Sequence, residues 1–235
     1  MRRSVIFSWA FSAVLLVMGF LATPVASAQQ SVNFLLGGFV PRSLDSRPAD
    51  DVLVNNLDFL IFEIKDFNGP VIGAEWLIGI GNYIEGGLGV GRYSRTSPAV
   101  YRNFTNADRS EIEQDLKLRV IPFTATVRFL PFGRDTGVQP YVGAGVGVMR
   151  YRYSETGQFV DFTDRAIFND NFIGSGTATG PLVLGGVRFG GRTLDVGGEI
   201  RYQSAKGELP PEETFAGSVI DLGGMNYLFT VNIRF

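Results

Sequence analysis

Gly224-Met225-Asn226-Tyr227-Leu228-Phe229-Thr230-Val231-Asn232-Ile233-Arg234-Phe235 closes the chain with alternating side-chain polarity. The odd-numbered positions are Met, Tyr, Phe, Val, Ile and Phe, whereas the even-numbered ones after Gly224 are polar except for Leu228. A period of two puts these sets on opposite faces of a β-strand. Chain ends usually fray into water, so an aromatic end favours a strand that closes a barrel in lipid, apolar side outward. The alternative is an amphipathic edge strand of a soluble sandwich.

The other end of the chain has the pattern of an export signal. Arg2 and Arg3 precede an apolar run from Val5 to Ala22, and Ala26-Ser27-Ala28 follows as an A-x-A site. We predict cleavage after Ala28, which makes residues 1–28 the signal and 29–235 a single domain starting at Gln29. An uncleaved transmembrane helix is long enough, but the small residues after the run argue against it. No later segment has about twenty consecutive apolar residues, so we do not expect an α-helical membrane protein.

Composition narrows the class of protein. Loss of Arg2 and Arg3 with the signal takes the net charge from −2 to −4, which is not the balance of a nucleic-acid binder. The sequence contains no Cys and no His. An exported location is compatible with this, although no disulfide can add stability. Glycine is abundant within the apolar runs, and no linker-like tract divides the mature chain.

Eight segments alternate like strands, and the connections between them alternate between long and short. Gly81-Asn82, Pro131–Gln139 and Gly190-Gly191-Arg192 are the short turns. Short turns at one end, long loops at the other and an even strand number are typical of outer-membrane barrels, where closure leaves no unpaired backbone edge in lipid. We therefore predict an all-β, eight-stranded antiparallel up-and-down transmembrane β-barrel. Its strands are about Ser31–Val40, Pro70–Ile80, Tyr83–Arg95, Asp115–Phe129, Pro140–Ser154, Thr177–Phe189, Thr193–Ser204 and Gly224–Phe235.

The long connections are predicted as Pro41–Gly69, Thr96–Gln114, Glu155–Gly176 and Ala205–Leu222. Within the first of them, Leu57–Asp66 is apolar enough for a short helix or a short strand, and the sequence does not decide between them. Two strands change the phase of their apolar positions. The change at Val120-Ile121-Pro122 predicts a β-bulge, where proline is tolerated, and a second change precedes Arg150 and Arg152.

The orientation of the strands separates a membrane barrel from a soluble one. A soluble lipocalin-like barrel would place apolar side chains inside and polar ones outside. Here the charged positions lie opposite the bulkier apolar face, and several aromatic residues of that face lie near strand ends, as an interfacial girdle requires. These aromatic residues are Trp76, Phe123, Phe129, Phe189, Tyr202 and Phe235.

Outward apolar faces leave eight charged side chains inside the barrel. They are Glu75, Glu85, Arg128, Arg188, Asp195, Glu199, Arg201 and Arg234. Strand direction places Glu75, Glu199 and Arg201 near the middle and the other five in the periplasmic half. Enclosed charges are costly unless they pair, and eight strands leave an interior that side chains can fill. We predict a polar plug. A proton or ion path is the alternative, for which the glycines of the third and fifth strands would leave a narrow void, unless they make room for facing side chains.

Two further stretches carry a family resemblance. Val138-Gln139-Pro140-Tyr141-Val142-Gly143-Ala144-Gly145-Val146-Gly147 and Gly37-Gly38-Phe39-Val40-Pro41 resemble strands of the OmpA/OmpW-type outer-membrane β-barrel superfamily. The resemblance implies variable outer loops, a location in the outer membrane of a Gram-negative bacterium, and no single activity. It also implies that the barrel-assembly machinery reads the C-terminal motif of Tyr227, Phe229, Val231, Ile233 and Phe235.

Catalysis is not expected. Outer-membrane barrel enzymes that cleave or transfer acyl chains, and the barrel proteases, resemble one another in using His as a base, and this sequence has no His. Cys nucleophiles and Cys/His metal sites are absent too. Asp161 with Asp164, or Glu212 with Glu213, would be conceivable carboxylate pairs, but polar loops of this kind are ordinarily solvated surface. Asp50-Asp51 and Asp164–Asp170 lack EF-hand spacing. We expect no cofactor and no metal.

Two functional classes remain open. One is a structural or surface-interaction barrel whose loops meet an extracellular ligand, and the other is a narrow conduit for small, apolar molecules. Outer-membrane lipid is the expected surrounding of either. Six loop aromatics would serve both classes, or would simply pack loop on loop: Tyr101, Phe104, Phe159, Phe162, Phe168 and Phe172.

Overall fold

The computed structural model describes residues 30–191 and 193–235. The predicted export signal and its cleavage residues Ala26, Ala28 and Gln29 lie outside the described residues, as does Arg192 of the predicted third turn. The described chain consists largely of long antiparallel strands. No helix in this part of the chain is long and apolar enough to cross a bilayer.

Eight long strands close into one barrel. Neighbours in sequence pair antiparallel, and the first strand pairs with the last, so that the ring has no open edge. The predicted fold class is confirmed. The barrel strands are β1 (Gln30–Pro41), β3 (Gly69–Ile80), β4 (Ile84–Thr105), β5 (Glu111–Phe129), β6 (Val138–Val160), β7 (Ile167–Gly190), β8 (Leu194–Gln203) and β11 (Gly224–Arg234).

The apolar faces of the strands point outward at the end of the barrel that holds the chain termini and short turns. Trp76 of β3, for example, is 42% exposed, whereas its neighbour Glu75 is 1% exposed. All six aromatic residues of the predicted girdle are exposed on this outer surface. On β6 the outward residues Val138, Val142, Val146 and Val148 form one continuous apolar row. We call the ring of such rows the apolar belt.

Four adjacent strands are far longer than the sequence predicted. The segments Thr96–Gln114 and Glu155–Gly176, predicted as loops, are mostly strand, because β4, β5, β6 and β7 have 22, 19, 23 and 24 residues. Their upper halves invert the pattern of the belt. On β5 the buried residues there are Leu116, Leu118 and Val120, and polar side chains face outward. The part of a barrel that stands in water needs a polar outer surface and an apolar interior. The upper halves of these four strands are therefore rich in polar residues.

The predicted bulge in β5 is wrong. In the ladder between β4 and β5, Val90 pairs with Phe123 and Tyr93 pairs with Val120, so the register is the same on both sides of Pro122. Proline has no N–H to donate to the ladder, which accounts for the missing pairs between these points. The apparent phase change marks the level at which the outside changes from apolar to polar. The same applies to Arg150 and Arg152, which share their outward face with Val148.

The first and last connections fold over the far end of the barrel. The first contains the helix α1 (Val52–Asn56), the two-residue strand β2 (Leu60–Ile61) and a 3-10 helix (Ile64–Phe67), so Leu57–Asp66 holds both a strand and a helical turn. The last connection forms the hairpin of β9 (Lys206–Glu208) and β10 (Val219–Asp221). We call these two connections, residues 42–68 and 204–223, the cap.

The cap forms an apolar core together with the upper strands. Val52, Leu53 and Phe67 are fully or almost fully buried against side chains from the upper strands, such as Tyr93 and Met149. A buried ion pair fastens its two connections together. Arg47 Nη2 lies 3.0 Å from Asp51 Oδ2 and donates at the same distance to the Asp221 carbonyl. The described structure therefore has two cores, a polar one within the belt and an apolar one beneath the cap.

Candidate functional site: a charged layer inside the barrel

The middle of the barrel contains a four-membered ion cluster. Glu75 of β3, Arg128 of β5 and the pair Glu199 and Arg201 of β8 all point inward, because each occupies the alternate face to the belt residues of its strand. Arg128 bridges two carboxylates: its Nη2 atom contacts Glu75 and lies 3.0 Å from Glu199 Oε2. Arg201 Nη2 closes the cluster at 2.6 Å from Glu199 and 3.5 Å from Glu75.

Neutral side chains complete this cluster. The Tyr141 hydroxyl donates to Glu199 at 3.0 Å, and Thr126 Oγ1 donates to Glu75 Oε1 at 3.1 Å. The Tyr141 ring lies between two guanidinium groups, with its centroid 5.0 Å from Arg128 Cζ and 4.9 Å from Arg188 Cζ. Each buried carboxylate thus has several donors, which is the condition under which enclosed ion pairs are tolerated.

A second group of charges lies closer to the turns. Arg188 Nη2 contacts Glu85 Oε2 at 2.5 Å, and Arg234 Nη2 contacts Asp195 Oδ2 at 2.6 Å. Arg134 joins this group from the turn between β5 and β6, with its Nε atom 3.0 Å from Glu85 Oε1. Sequence reasoning missed Arg134 because the residue lies in a turn, where no alternation indicates a direction. Arg234 Nη1 donates to the Arg134 carbonyl at 2.8 Å, which ties the last strand to this turn.

The structure places all eight predicted lumen residues inside the barrel and brings them into two groups. Arg128 was expected in the periplasmic half, but its side chain contacts the middle carboxylates instead. With Arg134 the lumen holds five guanidinium groups and four carboxylates. We call these nine residues the charged plug: Glu75, Glu85, Arg128, Arg134, Arg188, Asp195, Glu199, Arg201 and Arg234.

A small void lies next to the cluster. It is lined by Leu35, Arg201, Gln203, Asn226 and Leu228 and has a volume of about 40 Å³, which is room for water, since about 10–15 Å³ is enough for one molecule. The lumen glycines are close to facing side chains. A Cβ atom on Gly87 would lie 2.5 Å from Thr126 Oγ1 and 3.0 Å from Glu75 Oε1. Gly87 therefore leaves room for Thr126 and Glu75.

The predicted C-terminal motif lies along the outer face of β11. Tyr227, Phe229, Ile233 and Phe235 are exposed and Val231 is partly exposed, while the alternating Asn226, Thr230 and Asn232 are buried. The structure thus puts the whole motif within the apolar belt. Its recognition by an assembly machinery remains a prediction.

The conceivable catalytic and metal residues lie apart from the plug, in turns and in the cap. Asp161 accepts from the Thr163 amide and Asp164 from the Ala166 amide, as in ordinary Asx turns. Glu213 accepts from the Ile173 amide at 3.1 Å. Asp51 is buried against Arg47, and Asp50 binds Ser218. Within residues 30–191 and 193–235 no group of three or more acidic side chains is arranged to hold a metal.

The loop aromatics pack against one another at the rim of the upper strands. One chain of ring contacts runs from Phe59 through Tyr101 and Phe104 to Phe162, with centroids 5.7–6.2 Å apart. A second joins Phe159 to Phe168 and Phe172. All six aromatics named from the sequence belong to these two chains. Phe162 is still 62% and Phe168 40% exposed, so the rim presents apolar surface.

The fold and the interior together define a small closed β-barrel with an apolar exterior and charged side chains in its lumen. No family model and no curated protein matches the chain. Several solved structures are similar to it. Neisserial surface protein A is 15% identical with a TM-score of 0.49, and Ail, the attachment invasion locus protein of Yersinia pestis, is 12% identical with a TM-score of 0.43. Each match covers 89% of this chain and 100% of the other. Outer Membrane Protein W of E. coli is 14% identical with a TM-score of 0.38, over 90% of this chain and 100% of its own.

Proposed function

We propose that this protein is a structural or surface-interaction barrel of a Gram-negative outer membrane, with its lumen closed by the charged plug. The observation that carries the proposal is the inside-out distribution of polarity. Large apolar side chains such as Phe229 and Leu88 are more than half exposed on the outside, whereas Arg128, Arg188 and Asp195 are fully buried. A soluble protein would pay a large free-energy cost for so much apolar surface in water.

The height of the belt supports a bilayer as the solvent. The outward valines of β6 extend from Val138 to Val148, and Arg150 follows. Ten residue steps are about 33 Å of strand at about 3.3 Å each. A tilt of about 45° reduces this to about 23 Å, close to the roughly 25 Å apolar band of outer-membrane barrels. The termini then lie on the periplasmic side, and the cap and the aromatic rim lie outside the cell.

The plug and the cap together favour a closed barrel. Nine charged side chains cross the lumen within the belt, and the apolar core beneath the cap fills the space above them. A solute would have to break several buried ion pairs and displace the cap core. The proposed partners are outer-membrane lipid, the barrel-assembly machinery at the C-terminal motif, and an extracellular ligand at the rim that includes Phe162 and Phe168.

The proposal does not include an enzymatic activity. The sequence offers no His base and no Cys nucleophile. The carboxylates at Asp161 and Asp164 are occupied by backbone amides of their own turns. Polar loops of this kind serve as solvated surface.

A narrow conduit is the second candidate. One observation favours it: the ladder between β4 and β5 is interrupted beside Pro122, and the wall there is thinned by Gly73 and Gly91. An apolar solute leaving the upper lumen sideways would cross the wall at this point. The path would open only if Leu35, Gln203 and Leu228 moved, because they line the small void behind it.

Single-channel recording in a planar bilayer tests the proposal. We expect the purified mature chain to insert without steady openings. The double variant Glu75→Ala with Arg128→Ala removes the central pair and should produce resolvable openings, while the matched control Glu63→Ala with Lys65→Ala removes an exposed ion pair of the cap and should stay silent. Steady openings of the wild-type barrel would contradict the plug and favour the conduit.

A further inference from the structure

Four arginines point outward at the upper edge of the apolar belt, on three neighbouring strands. They are Arg92 of β4, Arg119 of β5 and Arg150 and Arg152 of β6, and all are exposed. Arg119 lies directly opposite Arg152 in the ladder. Arg150 lies two residues further along the same face, opposite Ile121. The plug uses none of these arginines.

No carboxylate of the described chain neutralises this group of arginines. Among the residues that the structure describes, no carboxylate forms an ion pair with any of the four. On the opposite side of the barrel, by contrast, Arg42 contacts Asp221 at 3.2 Å. Asp115 shares the outer face of β5 but lies four residues beyond Arg119, about 13 Å along the strand. Like charges directly across a ladder destabilise a sheet. An anion from outside the chain would relieve the repulsion between Arg119 and Arg152.

The position of the four arginines at the edge of the apolar belt indicates the source of that anion. Ile121 and Val148, immediately below the arginines, are exposed residues of the belt. A lipid whose acyl chains lie along these residues would have its headgroup beside the guanidinium groups. Exposed Ser175 and Thr177 on β7 pair with Arg152 and Arg150 and add hydroxyl donors. Guanidinium groups bind phosphate oxygens with paired, charge-assisted hydrogen bonds.

We infer that Arg119, Arg150 and Arg152, with Arg92 beside them, form a docking site for the phosphate groups of an anionic lipid in the outer leaflet. The inference rests on the proposed function, because the membrane orientation puts this end of the belt at the outer surface. Several guanidinium groups in one patch match a headgroup with more than one phosphate better than a single phosphodiester. The patch borders the belt, so an anion already anchored in the leaflet reaches it without leaving lipid.

The test measures the thermal unfolding of the full mature chain in detergent, with three added probes. These are bisphosphorylated lipid A, the same lipid after enzymatic removal of its phosphates, and inorganic phosphate. We expect the bisphosphorylated lipid alone to raise the unfolding temperature by several degrees, and added salt to reduce the shift. An equal shift from the dephosphorylated lipid would overturn the proposal, and so would an equal shift from inorganic phosphate, which would indicate a free-anion site.

Variants assign the effect to the patch. The triple variant R119Q/R150Q/R152Q should lose most of the lipid-induced shift, whereas R109Q/R165Q/K206Q removes the same charge from exposed positions outside the patch and should keep it. An undiminished shift in the patch variant would overturn the inference. Folding is checked by the heat-dependent mobility of each barrel on a gel. If the wild-type chain fails to insert into liposomes, the proposed function fails; if it inserts but does not distinguish the lipids, only this inference fails.

Discussion

Glu75 and Trp76 are adjacent in the chain and face opposite sides of the barrel wall. The carboxylate lies in the lumen against Arg128 and Arg201, whereas the indole is 42% exposed among the belt residues and donates to Gln30 Oε1 at 3.2 Å. This pair shows at a single step of β3 how the period of a strand separates a charged interior from an apolar exterior.

Removal of the central carboxylate should destabilise the barrel. Glu75→Gln leaves Arg128 and Arg201 with one partner fewer in an enclosed space, and breaking a buried pair costs about 3–5 kcal/mol. Urea unfolding in liposomes, followed by gel mobility, measures the loss. The matched control is Glu63→Gln, whose partner Lys65 is exposed, and it should unfold like the wild type. Equal stability of Glu75→Gln and wild type would show that the cluster is not a structural element.

Two neighbouring glycines should respond differently to the same substitution. A Cβ atom on Gly186 would lie 2.5 Å from both the Gly198 carbonyl oxygen and the Tyr141 hydroxyl, whereas on Gly185 the nearest atom would be 3.8 Å away. Gly186→Ala should therefore destabilise the barrel by about 1–3 kcal/mol, the usual cost of overpacking. Gly185→Ala should be nearly neutral. The same urea titration compares them, and a reversed order would contradict the described packing around Tyr141.

The cap should be more stable in mild acid than at neutral pH. Glu155 lies above the belt, beneath the cap, where it accepts from Asn56 Nδ2 at 2.7 Å and from Tyr153 at 2.8 Å. Burial raises the pKa of the Glu155 carboxyl, which has no cation beside it. A raised folded-state pKa contributes stability that is present below the ordinary Glu range and lost as pH rises through the raised value. Tyr153 stays neutral throughout, because burial raises its pKa too.

Hydrogen exchange of residues 52–60, corrected for intrinsic rates, measures this effect at pH 4 and pH 8. Protection in the wild type should fall as pH rises. Glu155→Gln keeps an acceptor for Asn56 and cannot ionise, so its protection should hardly change with pH. A wild-type cap that is equally protected at both values would contradict a buried, unpaired carboxyl.

The sequence was informative where the environment of a strand stays constant along its length. Within the belt, the alternation of residues such as Leu194, Asp195 and Val196 defined both strand and face. Above the belt the barrel wall is surrounded by water, and the apolar residues lie on the inner face. In the sequence, the apolar positions Leu116 and Leu118 are therefore out of phase by one residue with the apolar positions of the belt. The ladder between β4 and β5 keeps its register past Pro122. Polarity alone could not separate a change of solvent from a change of backbone, and the upper strands were therefore predicted as loops.

Most of the charged plug was predictable from the same alternation of side chains. Eight of its members lie on strands, and the two-residue period of a strand indicated that they point inward. Arg134 could not be found in this way, because its place beside Glu85 depends on how a turn folds back under the barrel. The grouping of Arg128 with Glu75 and Glu199 depends on the length of its side chain, which reaches beyond the level of its own backbone.

Trp76 reports directly on the orientation of the wall in lipid. Of the two tryptophans in the sequence, only Trp76 lies in the predicted mature segment 29–235. Its fluorescence is measured after insertion of the mature chain into liposomes with brominated acyl chains. We expect strong quenching by the brominated lipid and little quenching by aqueous iodide. Efficient iodide quenching with no effect of the brominated chains would place the indole in water and contradict an outward apolar face in lipid.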